Sequence, residues 1–343
     1  MNVNEKFQNA LHRKPQKTPP IWLMRQAGRY HSHYRALREK HSFVDLCKVP
    51  ELAAETARGP VAEFDFDLAI LFSDLLFPLE ALGMPLEYGD GGPQLGWQLS
   101  RANISTLKSP DDAFPDLKFQ GDAVRATREV LPKDKSLIGF VGGAFTLFSY
   151  AMGCRRSDRC EEAKREWPLF EDFAREYLIP LTRAQIELQL KAGAEVVMIL
   201  DPLAGVIGPQ WFRERYLPML SSTSDGLSGA TGYYLRGASD AHLTALATAN
   251  LPLAGVGFDH RFEMKDWLGR FQKGFVQGNF EEALLFLSPK ELEQELERYF
   301  APIAALSPQN RLGWVCGLGH GVLPKTPEEN VRLFVQKARA MFA

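Results

Sequence analysis

The sequence shows no excess of charge of either sign. Forty Lys and Arg stand against 42 Asp and Glu, for a formal net charge of −2 over 343 residues. That balance, with a pI near 6.4, argues against a general polyanion binder, so no nucleic-acid partner is expected. Cysteine is scarce. Cys47, Cys154, Cys160 and Cys316 form no C-x-x-C pair, and no secretory apolar segment precedes them. A reduced, cytoplasmic chain is therefore expected. No apolar run reaches membrane-spanning length. Runs such as VVMIL and LAILF are strand-sized, so no membrane partner is expected. A G-x-G-x-x-G fingerprint is missing too: the first apolar run is followed by MRQAGRY, which disfavours a dinucleotide-binding sheet. No linker or break in composition divides the chain. One domain over residues 1–343 is expected, with 1–19 as an N-terminal extension or cap.

What the chain does have is apolar residues, 45% of the total, enough for a large core. Eight short apolar or β-branched runs read as buried strands, at 21–23, 68–72, 137–140, 196–200, 231–235, 253–257, 275–277 and 312–315. Helix-like segments separate most of them. Residues 50–64 open with Pro50 and Glu51. Residues 170–192 stop before Gly193, with Pro180 placed to kink or divide them. Residues 288–300 open with Ser288, Pro289 and Glu291, and 326–341 open with T-P-E-E. Residues 90–92 and 105–115 read as a long loop or small hairpin inserted between the second and third units. Eight strands alternating with helices predict an α/β fold, a single-domain (β/α)8 TIM-type barrel; a doubly wound open sheet is the alternative.

In such a barrel, ligands bind where the strands end. The polar residues after the eight strands are, in order, Arg25 and Arg29; Ser73 and Asp74; Gly142, Gly143 and then Tyr150; Asp201; Arg236; Asp259; Gly278 and Asn279; and His320. The stretch WLMRQAGRYHSHYRALR, residues 22–38, concentrates Arg25, Arg29, Arg35 and Arg38 with His31 and His33. In a slightly acidic chain this is a local device for an anion. Arg offers a planar fork that binds a carboxylate bidentately and stays charged at any working pH. Arg35 reads as a solvated or helix-pairing residue. His31 and His33 lack partners for a metal site and read as solvated, so no metal is expected.

These segments carry a resemblance. WLMRQAGRY, LFSDLLFPLEALGM, GFVGGAFTLFSY, DPLAGVIGPQWFRERYLPML, VQGN and GLGHGVLP, in that order, are similar to the uroporphyrinogen decarboxylase family. The resemblance implies a barrel that acts as a homodimer without cofactor or metal. It also implies decarboxylation of the four acetate side chains of uroporphyrinogen to methyls, giving coproporphyrinogen in haem biosynthesis. The substrate is a tetrapyrrole with eight carboxylates, which accounts for the arginines. By resemblance, Arg25, Gln26, Ala27, Gly28, Arg29, Arg38, Asp74, Tyr150, Pro202 and His320 line the substrate site, with Asp74, Arg25 and Arg29 catalytic. One carboxylate, Asp74, has acceptor sites enough for the inward-facing pyrrole N–H groups. Its rival role is to cap the helix that follows. Gly28 permits a turn or close approach, and Gly319 and Gly321 leave the His320 backbone free to approach a ligand.

One position departs from the family. After the fourth strand it usually carries a Ser or Thr that reaches a substrate carboxylate; here Pro202 stands in D-P-L-A-G. Two other readings are therefore kept. A catalytically reduced tetrapyrrole-binding homologue would keep the pocket alone. A corrinoid methyltransferase-like protein would share the barrel but needs a His-x-Cys zinc pair. The fifth-strand segment TGYYLRGAS has neither residue, and no cysteine follows a His by two positions.

Overall fold

The computed structural model describes residues 3–89, 92–154, 159–227 and 229–343. Strand β1 is Leu68–Ile70. β2 (Leu86–Gly89) and β3 (Gly92–Leu95) form an antiparallel hairpin, the expected insertion. Then come β4 (Ser136–Gly142), β5 (Val196–Asp201), β6 (Thr231–Leu235), β7 (Leu253–Phe258), β8 (Phe275–Phe280) and β9 (Trp314–Leu318). All but the hairpin join one parallel sheet of seven strands in the order β1-β4-β5-β6-β7-β8-β9, with helices between successive strands.

The first expected strand is reduced to one bridge, Ile21 to Cys316. It still sits between the outer strands. Trp22 N donates to Cys316 O (3.0 Å), Cys316 N to Pro20 O (2.9 Å) and Asp67 N to Ile21 O (3.0 Å). This segment is the eighth stave of the barrel. It is short because Pro19 and Pro20 offer no N–H to a ladder, and because Arg25 turns the chain with a φ of +57°. The eighth expected strand runs later than 312–315. Gly313, at φ +80°, breaks the extended chain just before Trp314.

At the N-terminal end of the barrel, the helix Glu5–Leu11 is capped by Asn4, whose side chain accepts from Phe7 N. Phe7 is fully buried and packs on Phe275 at the start of β8, with ring centroids 5.6 Å apart. Buried Asp67 ties the corner together, taking Ile21 N at 2.7 Å, Lys6 at 2.6 Å and Arg339 of the last helix at 2.7 Å. These contacts close the end opposite the strand mouths.

Prolines shape the helices as expected. The segment around Pro180 divides into Trp167–Phe173, a π-helical turn Ala174–Leu178 and a helix Ile179–Ala192 that stops at Gly193 with φ +118°. Proline cannot donate to the carbonyl four residues back, and the chain widens into the π turn before it. The same device recurs before Pro218, over Phe212–Tyr216. Ser288 forms a full capping box with Glu291. The last helix differs from expectation. It starts at Glu328 after Pro327, and Thr326 instead donates its hydroxyl to Leu323 O.

Candidate active site

Side chains alternate along a strand, and the alternation decides which strand-end residues face the barrel mouth. On β6, Tyr234 points across the barrel and donates to Gly319 O at 2.8 Å, while Tyr233 points outward to Asp201 Oδ2 at 3.2 Å. Asp201, expected at the mouth, therefore lies behind the sheet. It is fully buried and accepts from Thr146 N (3.0 Å), Thr146 Oγ1 (2.5 Å), Tyr233 and Tyr216. Burial pushes its carboxyl up, opposed by these donors. Its work is positional. It pins the helix Ala144–Ala151 through Thr146, and Tyr150 lies four residues on, on the same helical face. Gly143 is obligatory there, since a Cβ would come within 2.3 Å of Asp201.

Asp259 and Asn279, also read as mouth residues, are likewise turned inward to backbone. Asp259 is 1% exposed and accepts from Gly237 N at 2.8 Å. The Asn279 side chain donates to Asp259 O at 2.9 Å and Phe262 O at 2.7 Å.

The first stave delivers the cations. Arg25 is exposed and sits beside Gly321, because Val322 N donates to Met24 O at 2.9 Å. A Cβ on Gly321 would lie 2.5 Å from Arg25 Cδ, and one on Gly319 would lie 2.6 Å from His260 N. The two glycines of G-H-G thus make room for the protein's own parts rather than freeing His320. We expect Gly321→Ala to keep the fold and raise KM about tenfold, the cost of one displaced charge-assisted contact. Steady-state kinetics beside a thermal melt checks this; an unchanged KM removes the Arg25 packing argument. At Gly28 the reverse holds. Its φ is unexceptional and a Cβ would meet nothing closer than 3.4 Å. The expected turn is present, with His31 N donating to Gly28 O at 2.9 Å, while the left-handed residue of this stretch is Arg25.

Ala27 is half-buried and Arg29 exposed. Gln26 turns into the wall: it is 1% exposed and donates to Leu68 O at 2.9 Å, with its Oε1 unpartnered. Arg35 donates to the carbonyls of Arg29 and Tyr30 and lies 3.7 Å from Glu328, a pairing role. The histidines are not solvated. His31 is fully buried and bonded to Glu63 at 2.5 Å, and His33 reaches Glu55 at 3.3 Å. His31, Glu63 and Glu328 converge closely enough for a cation, but Arg332 already bridges the two carboxylates.

Asp74 follows β1 and is half-buried. One oxygen accepts Leu76 N–H at 2.9 Å, an Asx turn; the helix Phe77–Ala81 has Leu76 at its N-cap and no side-chain cap bond, so the helix-capping role is not the one Asp74 takes. Arg38 is exposed at the end of the helix Ser32–Arg38. Cys47, buried behind both, is pushed up by burial and by Asp74 and pulled down by Lys48 and Arg38. Burial raises Tyr34, against the pull of Arg38 and Arg29. Aromatic rings floor this region: Tyr34 on Phe72 at 5.6 Å, and Phe43 on Tyr88 at 4.7 Å. A tetrapyrrole needs such an arrangement, an apolar face with charges at its edge.

Across the mouth, Tyr150 and Pro202 are half-buried. His320 is half-buried too, and its Nδ1 accepts from Gly321 N at 2.6 Å. A neutral ring therefore carries its proton on Nε2, as a donor. Arg155 and Arg156, which follow Cys154, lie outside the described residues. Two groups escaped the sequence reading. Glu282, after β8, is 6% exposed, and burial raises its carboxyl. Tyr234 gathers Asp259, Arg236, Glu282 and Arg25 within its electrostatic reach. Strand alternation was the available signal for Tyr234; for Glu282 there was none.

Fold and site together define a barrel whose strand mouth pairs an arginine cluster with a carboxylate over an aromatic floor. The family profile "Uroporphyrinogen decarboxylase (URO-D)" matches residues 2–341. The chain belongs to the uroporphyrinogen decarboxylase family. It is 35% identical over 350 residues to the uroporphyrinogen decarboxylase of Anaeromyxobacter dehalogenans (strain 2CP-C), covering 98% of this chain and 99% of that one. It is 35% identical over 344 residues to that of Myxococcus xanthus (strain DK1622), covering 97% and 95%. Among solved structures, a methyltransferase from Methanosarcina mazei aligns over 100% of both chains with TM-score 0.77 at 18% identity. A B12-independent methionine synthase from Shewanella sp. W3-18-1 aligns over 96% of each at 0.55 and 11%. These two likenesses establish the barrel fold and nothing finer.

Proposed function

We propose that this chain decarboxylates the four acetate side chains of uroporphyrinogen, without cofactor, to give coproporphyrinogen. Family membership over residues 2–341 supports the reaction. The structural observation that supports the site is half-buried Asp74 beside the aromatic rings of Tyr34, Phe72, Phe43 and Tyr88, with Arg25 and Arg29 exposed after the neighbouring first stave. The chemistry follows from the substrate. A proton adds to the ring carbon next to the one that bears the acetate, leaving a cationic ring still conjugated to the acetate-bearing carbon. The C–CO2 bond then breaks, its electron pair flows into the ring, and carbon dioxide leaves. A second proton completes the methyl while the first is lost, so each acetate consumes one proton net.

Asp74, ionised, faces the pyrrole N–H groups and stabilises the cation. Arg25, Arg29 and Arg38 clamp substrate carboxylates, with the backbone of Gln26, Ala27 and Gly28 shaping the clamp. Tyr150 and His320 donate to further carboxylates. An arginine is a poor acid, since its pKa exceeds about 12, so the ring proton comes from a water or a substrate carboxyl held by Arg25 or Arg29. The test is anaerobic turnover with uroporphyrinogen I or III, reading product carboxyl number by chromatography. Products with four to seven carboxyls support the reading, and unchanged octacarboxylate contradicts it.

Pro202 favours the reduced-homologue reading, since proline has neither hydroxyl nor N–H. One donor to a charged group is worth about 1.5–3 kcal/mol, too little to abolish turnover. Pro202→Ser is expected to leave activity equal or improved. A silent native protein revived by Pro202→Ser would mark a chain that has left this role.

A homodimer in the cytoplasm completes the proposal. No disulfide joins the four buried cysteines, and among the described residues no helix is long and apolar enough to cross a membrane. Light scattering should give twice the chain mass of 38.5 kDa; a single-chain mass at micromolar concentration contradicts the dimer.

A further inference from the structure

Pro202 and Arg236 each follow directly on the last ladder pair of β5 and β6. In the β5–β6 register Leu200 pairs with Tyr234 and Asp201 with Leu235, so the next residues along, Pro202 and Arg236, stand side by side where the strands end. Both lie on the inner face by alternation. Asp201 and Tyr233 point outward together, Tyr234 points across the barrel to Gly319, and Arg236 follows Tyr234 by two. The backbone after Pro202 rests on Arg236: a Cβ on Gly205 would lie 2.1 Å from Arg236 O.

Arg236 is half-buried. Among the described residues its guanidinium makes no hydrogen bond and no ion pair, in contrast to Arg35, Arg215, Arg332 and Arg339, which all reach carboxylates. A partly desolvated guanidinium with five unused donors is an incomplete carboxylate site. Its surroundings keep it available. Glu282 lies within its electrostatic reach, and burial disfavours the ionised form that would compete for it. Asp259 is committed to Gly237 N and lies 3.5 Å from Arg261. Tyr234 links Arg236 to the rest of the mouth, since it lies within reach of both Arg236 and Arg25, with the His320 ring 6.5 Å away.

We infer that Arg236 binds a side-chain carboxylate of the tetrapyrrole on the wall opposite Asp74, supplying the contact that Pro202 cannot make. The inference rests on the decarboxylase reading and adds a specificity-determining residue to it. A bidentate fork replaces a single hydroxyl at the same point of the wall, so the substitution at 202 is compensated by its neighbour.

The test is a cycle of four proteins: native, Arg236→Met, Pro202→Ser and the double variant, assayed anaerobically with uroporphyrinogen. Arg236→Met should raise KM about ten- to hundred-fold, the range for one charge-assisted contact. It should also release partly decarboxylated products, because each intermediate must rebind. Pro202→Ser should recover part of the loss in the Arg236→Met background, a larger gain than it gives the native enzyme. Arg236→Lys should fall between native and Met, and it serves as the second variant should Met fail to fold. A native KM and native product distribution in Arg236→Met, or in Arg236→Lys if that alone folds, overturns the inference. So does equal benefit of Pro202→Ser in both backgrounds. Absence of turnover by the native protein overturns the decarboxylase reading itself, which keeps the two failures apart.

Discussion

Asp74→Asn keeps the fold and lowers turnover about 10²- to 10³-fold, the usual cost of removing one preorganised electrostatic group. The substitution separates the two roles of this side chain. In its Asx turn, Asp74 uses one oxygen to accept Leu76 N–H at 2.9 Å. Asn keeps an oxygen for that bond and forms the same turn, so the chain after β1 is preserved. What Asn loses is the negative charge, and with it the stabilisation of a cationic pyrrole. It also presents N–H donors where four substrate N–H groups need acceptors. Asp74→Glu keeps the charge with altered reach and retains part of the rate. Near-normal turnover in Asp74→Asn would leave Asp74 as a turn residue alone.

Arg25→Lys costs roughly ten- to two-hundred-fold in kcat/KM, corresponding to about 1.5–3 kcal/mol for a lost charge-assisted bond. Net charge is unchanged, and the φ of +57° at this position burdens both residues alike. The difference lies in the planar fork, which a single ammonium cannot copy. The Arg25 stem packs on Gly321, and a Lys stem can lie there too, which keeps stability near native. Circular dichroism and a melt should match the parent while kcat/KM falls. If the Lys variant turns over like the parent, Arg25 acts through net charge only.

Much of the fold follows from local signals. Pro180, Gly193 and the Ser288–Glu291 pair act through chemistry within a few residues, and the structure uses each where expected. The strand-end rule set Arg25, Asp74, Tyr150 and His320 after the staves, where the structure has them. It misassigned side chains wherever tertiary direction mattered. Asp201 ends its strand on the outward face, a reading that counting residues back along the alternation would have given. Gln26 and His31 sit in an arginine-rich, polar stretch, yet both are buried. One is taken by a strand carbonyl and the other by Glu63 on a helix remote in sequence. No local pattern encodes such partners. Arg25 makes the same point for backbone, since a left-handed φ of +57° falls on an arginine.

The measurement that bears most directly on the central claim is single turnover by the metal-chelated protein. Enzyme in excess is mixed anaerobically with uroporphyrinogen, and released carbon dioxide and product carboxyl number are followed together. The account predicts up to four carbon dioxide molecules per tetrapyrrole and a tetracarboxylate product, with Asp74→Asn binding the substrate but stalling at eight carboxyls. A chelated native protein that binds the octacarboxylate and releases no carbon dioxide would contradict it.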